Sequence, residues 1–114
     1  IQITIKINDT KYIIYGIGGN TTYANIDECY IKQKKIASEI SEIFPNSLKK
    51  GPVVGVHPAD TSGKSTVTQI QFHLNLGNKA LIECYDFSKN VSYPDSLVVS
   101  LYSKELNDWL VSFQ

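Results

Sequence analysis

The chain has 114 residues, with 11 acidic and 11 basic side chains, and all of the basic ones are lysine. That length suits one domain able to stand without disulfide staples, and a hydrophobic content of 42% excludes a disordered tract. The absence of arginine argues against a dedicated nucleic-acid reader, because guanidinium is the group that grips phosphate and guanine with two parallel bonds. No segment reaches the length of a membrane span and no charged-then-apolar leader is visible, although Ile1 is not a residue expected at a native start and a removed leader stays open.

Taken in chain order, Ile1, Ile3, Ile5 and Ile7 alternate with polar residues and predict a first strand. Asn8-Asp9-Thr10 turns the chain, Lys11 to Ile17 returns as a second strand, and Gly16, Gly18, Gly19 and Asn20 end it in a chain-reversal loop. From Ile26 to Phe44 the period becomes helical, with Cys29, Ile36, Ile40, Ile43 and Phe44 on one face, Asn25 or Asp27 as cap and Pro45 as stop. Pro52 to Val56 reads as a short strand and Pro58 to Lys64 as a polar loop.

Thr68 to Phe87 carries an alternating polar and apolar run, then Gly77-Asn78, then a second apolar-rich run ending in Asp86-Phe87, which is a hairpin pattern. Ser88 to Ser96 forms a loop and Leu97 to Leu101 a strand, and Ser103 caps a terminal helix with Leu106, Trp109, Leu110 and Phe113 on one side. The order β-β-α-β-β-β-β-α gives an α+β fold: a mainly antiparallel sheet of about six strands, one long helix and a short C-terminal helix. No repeat or linker divides it, so residues 1–114 form a single compact domain.

The hairpin register follows from burial. With Gly77 to Lys79 as the loop, Leu74 faces Ile82, Phe72 faces Cys84, and His73 with Glu83 and Gln71 with Tyr85 share the outward face. A two-residue loop would set Glu83 on the apolar face at a cost of several kcal/mol, roughly. Phe72, Leu74, Ile82 and Cys84 are therefore expected under the long helix. Cys29 and Cys84 fit no metal spacing and read as small buried hydrophobes, with a bridge as the alternative.

No residues assemble into a catalytic, cofactor-binding or metal-binding set. Gly63-Lys64-Ser65-Thr66 imitates the end of a phosphate-binding loop, but position 58 is proline where such a loop needs a glycine N–H. Gly16-Ile17-Gly18-Gly19 has Thr21 where a dinucleotide fingerprint wants glycine. His57, Asp60 and Ser62 or Ser65 are near in sequence without a nucleophile elbow. Asn8, Asn20 and Asn90 stand in glycan-acceptor sequons, a pattern that arises readily in a chain of this composition.

The segment from Phe44 onward resembles the small immunity proteins of bacterial contact-dependent growth-inhibition systems. Phe44-Pro45-Asn46-Ser47, Asp60-Thr61-Ser62-Gly63, Ile82-Glu83-Cys84-Tyr85-Asp86-Phe87-Ser88 and the run from Val98 through Trp109 to Leu110 carry the resemblance. It implies a cytoplasmic, non-enzymatic protein that binds the C-terminal toxin domain of its own system, often a basic nuclease, and blocks its active site, with no direct nucleic-acid or membrane partner. From the residues themselves, the acidic bias after position 82 and the tyrosines suit a basic cleft. Tyr85, Asp86, Tyr93 and Asp95 are the expected contacts, with Asp60 beside them. Two rivals stay open: a small enzyme or ligand-binding domain with a pocket of His57, Asp60, Tyr12 and Tyr15 by the 56–64 loop, and a periplasmic inhibitor in which Cys29 and Cys84 would be bridged.

Overall fold

The computed structural model describes residues 2–5 and 14–112. Six strands form one antiparallel sheet: β1 (Gln2–Ile5), β2 (Ile14–Tyr23), β3 (Leu48–Val56), β4 (Thr66–His73), β5 (Lys79–Asp86) and β6 (Asp95–Tyr102), in the spatial order β1-β2-β6-β5-β4-β3. Helix α1 (Ile26–Ile43) links β2 to β3, and α2 (Lys104–Val111) follows β6. The α+β class, the element order and the two helices are as the sequence predicts; Ile7, the Asn8–Thr10 turn, Tyr12 and Phe113 lie outside the described residues.

Asn25 caps α1 by accepting the Asp27 N–H at 2.9 Å, and Ser103 caps α2 by accepting that of Leu106 at 3.1 Å. Each satisfies a donor that the first helical turn leaves unpaired. Helix α1 lies over β5, β6 and β2. Its Cys29, Ala37 and Ile40 meet Ile70, Phe72, Ala80, Ile82, Cys84 and Leu97 in the core. Ile36 is half-buried against that core, whereas Ile43 and Phe44, assigned to the same face by period, are exposed at the helix end. Gln33 takes a core position instead. Its amide nitrogen donates to the Thr68 and Ile82 carbonyls, both at 2.8 Å, so a buried polar side chain is satisfied by two adjacent strands.

Cys29 and Cys84 form a disulfide across this interface, with Cα atoms 6.1 Å apart. This corrects the reading of two free thiols: both are fully buried, as expected of small hydrophobes, but α1 sets its first turn directly over the Cys84 position of β5.

The hairpin register is also corrected. Phe72 pairs with Ala80, Ile70 with Ile82, Gln69 with Glu83 and His73 with Lys79. Leu74 leaves the ladder and its N–H meets the Asn78 carbonyl at 2.8 Å, which widens the loop to a 3-10 turn over Asn75–Gly77. The turn needs positive φ at Leu76 and Gly77, and a Cβ at Gly77 would stand 2.8 Å from Lys104 Cδ. The slip preserves the two-residue parity, so Phe72, Ile82 and Cys84 are fully buried as expected and Leu74 packs beside them half-buried.

Strand β2 does not end at its glycines. It runs through Gly16, Gly18, Gly19 and Asn20 in unbroken register with β6, from Gly16 opposite Tyr102 to Tyr23 opposite Asp95. The backbone ladder carries the strand, and Gly16 is required by close approach: a Cβ there would stand 2.7 Å from Leu106 Cδ2, the residue that docks α2 onto the face opposite α1. Strand β3 starts at Leu48 rather than Pro52, its register shifting between Lys50 and Val53 around a cis Gly51–Pro52 bond.

Candidate functional site

The two faces of the sheet differ. One carries α1; on the other, Gln69, Gln71, His73, Glu83 and Tyr85 are half-exposed. Gln69 Nε2 donates to Glu83 Oε2 at 3.0 Å, and this replaces the expected His73–Glu83 pair. His73 instead stands beside Lys79, its Nε2 buried without a hydrogen-bond partner among the described residues. Burial first, then Lys50 and Lys79, hold its pKa below the usual imidazole value.

At the end of this open face, four rings adjoin. Tyr85 and Phe87 are two positions apart on one strand line and therefore point the same way, stacking at 5.9 Å between centroids. His57 lies against both, at 5.6 Å and 5.2 Å, and Tyr93 lies 5.5 Å from Phe87. Tyr93 is 65% exposed and the other three are half-buried. Burial, then the Glu83 carboxylate, pushes the Tyr85 phenol up to about 12, so this ring keeps its hydroxyl proton at neutral pH.

The array is held by Asp60. Its Oδ1 accepts from Ser62 N at 3.0 Å and Ser62 Oγ at 2.6 Å; its Oδ2 accepts from Ser65 N at 3.1 Å, Ser65 Oγ and Ser88 Oγ at 3.0 Å. Ser65 Oγ in turn accepts from Ser88 N at 2.9 Å. These bonds tie the loop after β3 to the chain that follows Phe87, and so fix His57 beside it. They also hold the Asp60 carboxyl well below the ordinary carboxylate range, Ser62 first and Ser65 next. At 7% exposure Asp60 is a clamp beneath the surface rather than part of a contact surface.

That geometry also dissolves the catalytic triad considered in sequence. Asp60 bonds Ser62 and Ser65 directly with no imidazole between, while His57 Nδ1 accepts the Ala59 N–H at 3.1 Å. A carboxylate so strongly stabilised as an anion is a poor proton acceptor. The pocket of His57, Asp60, Tyr12 and Tyr15 does not assemble from the described residues either: the main-chain carbonyl of Tyr15 accepts the Ser103 N–H at the far end of the sheet, and Tyr12 is outside them. An open cleft of about 240 Å³ at that far end is lined by Tyr15, Ile17, Phe44, Leu74, Leu101 and Lys79 among others. Among the described residues no three His, Cys, Asp or Glu converge as a metal group.

Of the five contacts expected from sequence, Tyr85 and Tyr93 are brought together through Phe87, which the sequence reading left out; its i, i+2 spacing from Tyr85 was the one signal for it, and nothing in the sequence placed Tyr93 beside it. Asp86 points to the α1 face by strand alternation. Burial, then Asp95 and Asp27, raise its pKa. Asp95 accepts the Phe87 N–H at 2.9 Å. One end of the sheet thus shows rings on one side and carboxylates on the other. No family model, curated protein or solved structure matches this chain.

Proposed function

We propose that this chain is a non-enzymatic binding protein that neutralises a basic toxin domain by covering its active site, with the His57–Tyr85–Phe87–Tyr93 end of the sheet as the contact. The observation that supports this reading is the half-exposed ring array itself: aromatic side chains already packed against one another offer large contact area and are the usual anchors of protein interfaces. Asp27, Asp86 and Asp95 at the same end would steer a cationic partner, since their mutual repulsion is relieved when a positive group approaches.

The test is binding to the product of the gene immediately upstream. Tyr85→Ala with Tyr93→Ala should weaken the complex at least about a hundredfold, as expected for two interface anchors. Asp86→Lys should slow association at low salt and not at high salt. Unchanged affinity in the double tyrosine variant would remove this end from the interface.

The reading of a periplasmic inhibitor is favoured over a cytoplasmic one by the Cys29–Cys84 bridge, because such bonds persist in oxidising compartments. Mass measurement of protein from its native source, with and without reductant, separates the two.

A further inference from the structure

We propose that β3 is a self-pairing edge, through which two copies of this chain join their sheets about a two-fold axis at Gly55. Strand β3 lies at one end of the sheet order, and all nine of its residues are exposed. Natural edges are guarded by charge, proline or a bulge. The first half of β3 has all of these in Lys49, Lys50 and Pro52, with the register shift beside them. The second half, Val53-Val54-Gly55-Val56, has none, and its three valines are each more than 60% exposed.

The ladder dictates which backbone groups are free. His57 N donates to Ser65 O at 2.8 Å, so His57 faces β4, and by alternation Gly55 and Val53 do too. The N–H and C=O of Val54 and Val56 therefore project from the sheet. An antiparallel partner must offer the same two outward residues, and a second copy does so in one register: Val54 opposite Val56 of the other copy and Val56 opposite its Val54, giving four backbone hydrogen bonds. Gly55 then meets Gly55 on the axis as a close, non-hydrogen-bonded pair.

Three features agree with that register. A two-fold axis perpendicular to the sheet keeps each residue on its own face, and Val54 and Val56 share the α1 face. Pro52 falls opposite Pro58, so the residues without N–H groups bracket the pairing at both ends. Lys50 of one copy lies about 30 Å from Lys50 of the other at strand rise, so the basic ends do not repel. A closed, self-complementary contact of this kind stops at two copies. It also sets both ring arrays on the same open face of the joined sheet, with His57 opposite Val53 of the other copy.

Sedimentation across a concentration series tests the proposal on the intact chain. Wild type should show a concentration-dependent dimer. Val54→Lys with Val56→Lys places lysine opposite lysine twice and should weaken it at least about tenfold. Val54→Lys with Val56→Glu places opposite charges in both pairs and should restore it. Both positions are exposed, so these variants should keep the fold. In addition, Gly55→Cys, where a Cβ meets nothing within 4 Å, should cross-link under mild oxidation, while Leu48→Cys, exposed but far from the axis, should not. A monomer at every concentration overturns the proposal, as does a dimer indifferent to paired lysines or a lysine–glutamate variant that stays apart.

Discussion

Replacing Gln33 tests the join between helix and sheet. Its amide nitrogen donates to the carbonyls of Thr68 on β4 and Ile82 on β5, and the residue is 2% exposed. Gln33→Leu removes two hydrogen bonds worth about 0.5–1.5 kcal/mol each, so about 1–3 kcal/mol, from which burial of an apolar side chain of similar size subtracts a part. Gln33→Glu is harsher. An ionised carboxylate would face two carbonyl oxygens with nothing to donate, so the introduced acid should fold protonated, its pKa raised by roughly two to three units, or about 3–4 kcal/mol at 1.36 kcal/mol per unit. A group whose pKa is raised by folding favours the fold at low pH and loses that contribution as pH rises through the folded value. Urea unfolding at pH 5 and pH 8 should therefore show Gln33→Glu recovering stability at the lower pH relative to Gln33→Leu. Two variants with equal stability at both pH values would refute the assigned bonds.

Phe72→Ala should lose about 3–5 kcal/mol in the same assay, because Phe72 is fully buried beneath α1. Opening Cys29–Cys84 by a double alanine substitution should cost about 4 kcal/mol, since the bond closes a loop spanning 55 positions; a loss near zero would mean the thiols are not joined. On acidification, stability should fall in two stages: below 6.5, where the unfolded chain protonates His73 and the fold resists, and again below 3.8, where the unfolded chain protonates Asp60 while the serine bonds keep the folded carboxylate ionised. His73→Gln should erase the first stage and leave the second. Asp86→Asn should raise the thermal midpoint at neutral pH by relieving repulsion from Asp95 and Asp27, and a lowered midpoint would contradict the charge cluster.

Strand parity was legible in the sequence because placing Glu83 among apolar side chains is costly enough to exclude every odd register. The even registers differ only in loop closure and in which apolar residue meets which, so the pairing of Phe72 with Ala80 could not be read. Ile43 is apolar and in phase with the helix period, yet it lies exposed at the end of α1. Gln33 is polar by any scale, and its burial depends on two carbonyls from strands that only the finished sheet places together. In β2 the glycines speak locally for a turn, and a ladder with a strand far along the chain overrides them. Tyr85 and Tyr93 were legible as surface aromatics; Asp60 was legible as a polar loop residue, but its partners, Ser65 and Ser88, belong to different connections.

The β2–β6 ladder joins residues 72 to 86 positions apart, whereas β3 to β6 follow one another as neighbours. During synthesis, the meander from β3 onward can zip up as it emerges, but the long edge of β2 waits unpaired until residue 102 has been made. An exposed strand in a half-made chain invites pairing with the wrong partner, and the risk grows with its hydrophobicity and β-propensity. Gly-Ile-Gly-Gly-Asn is close to the least adhesive composition a strand can have. The glycines that obscure β2 in the sequence thus give it a quiet edge for the time it spends alone, and the late arrival of β6 supplies the pairing that the residues themselves do not demand.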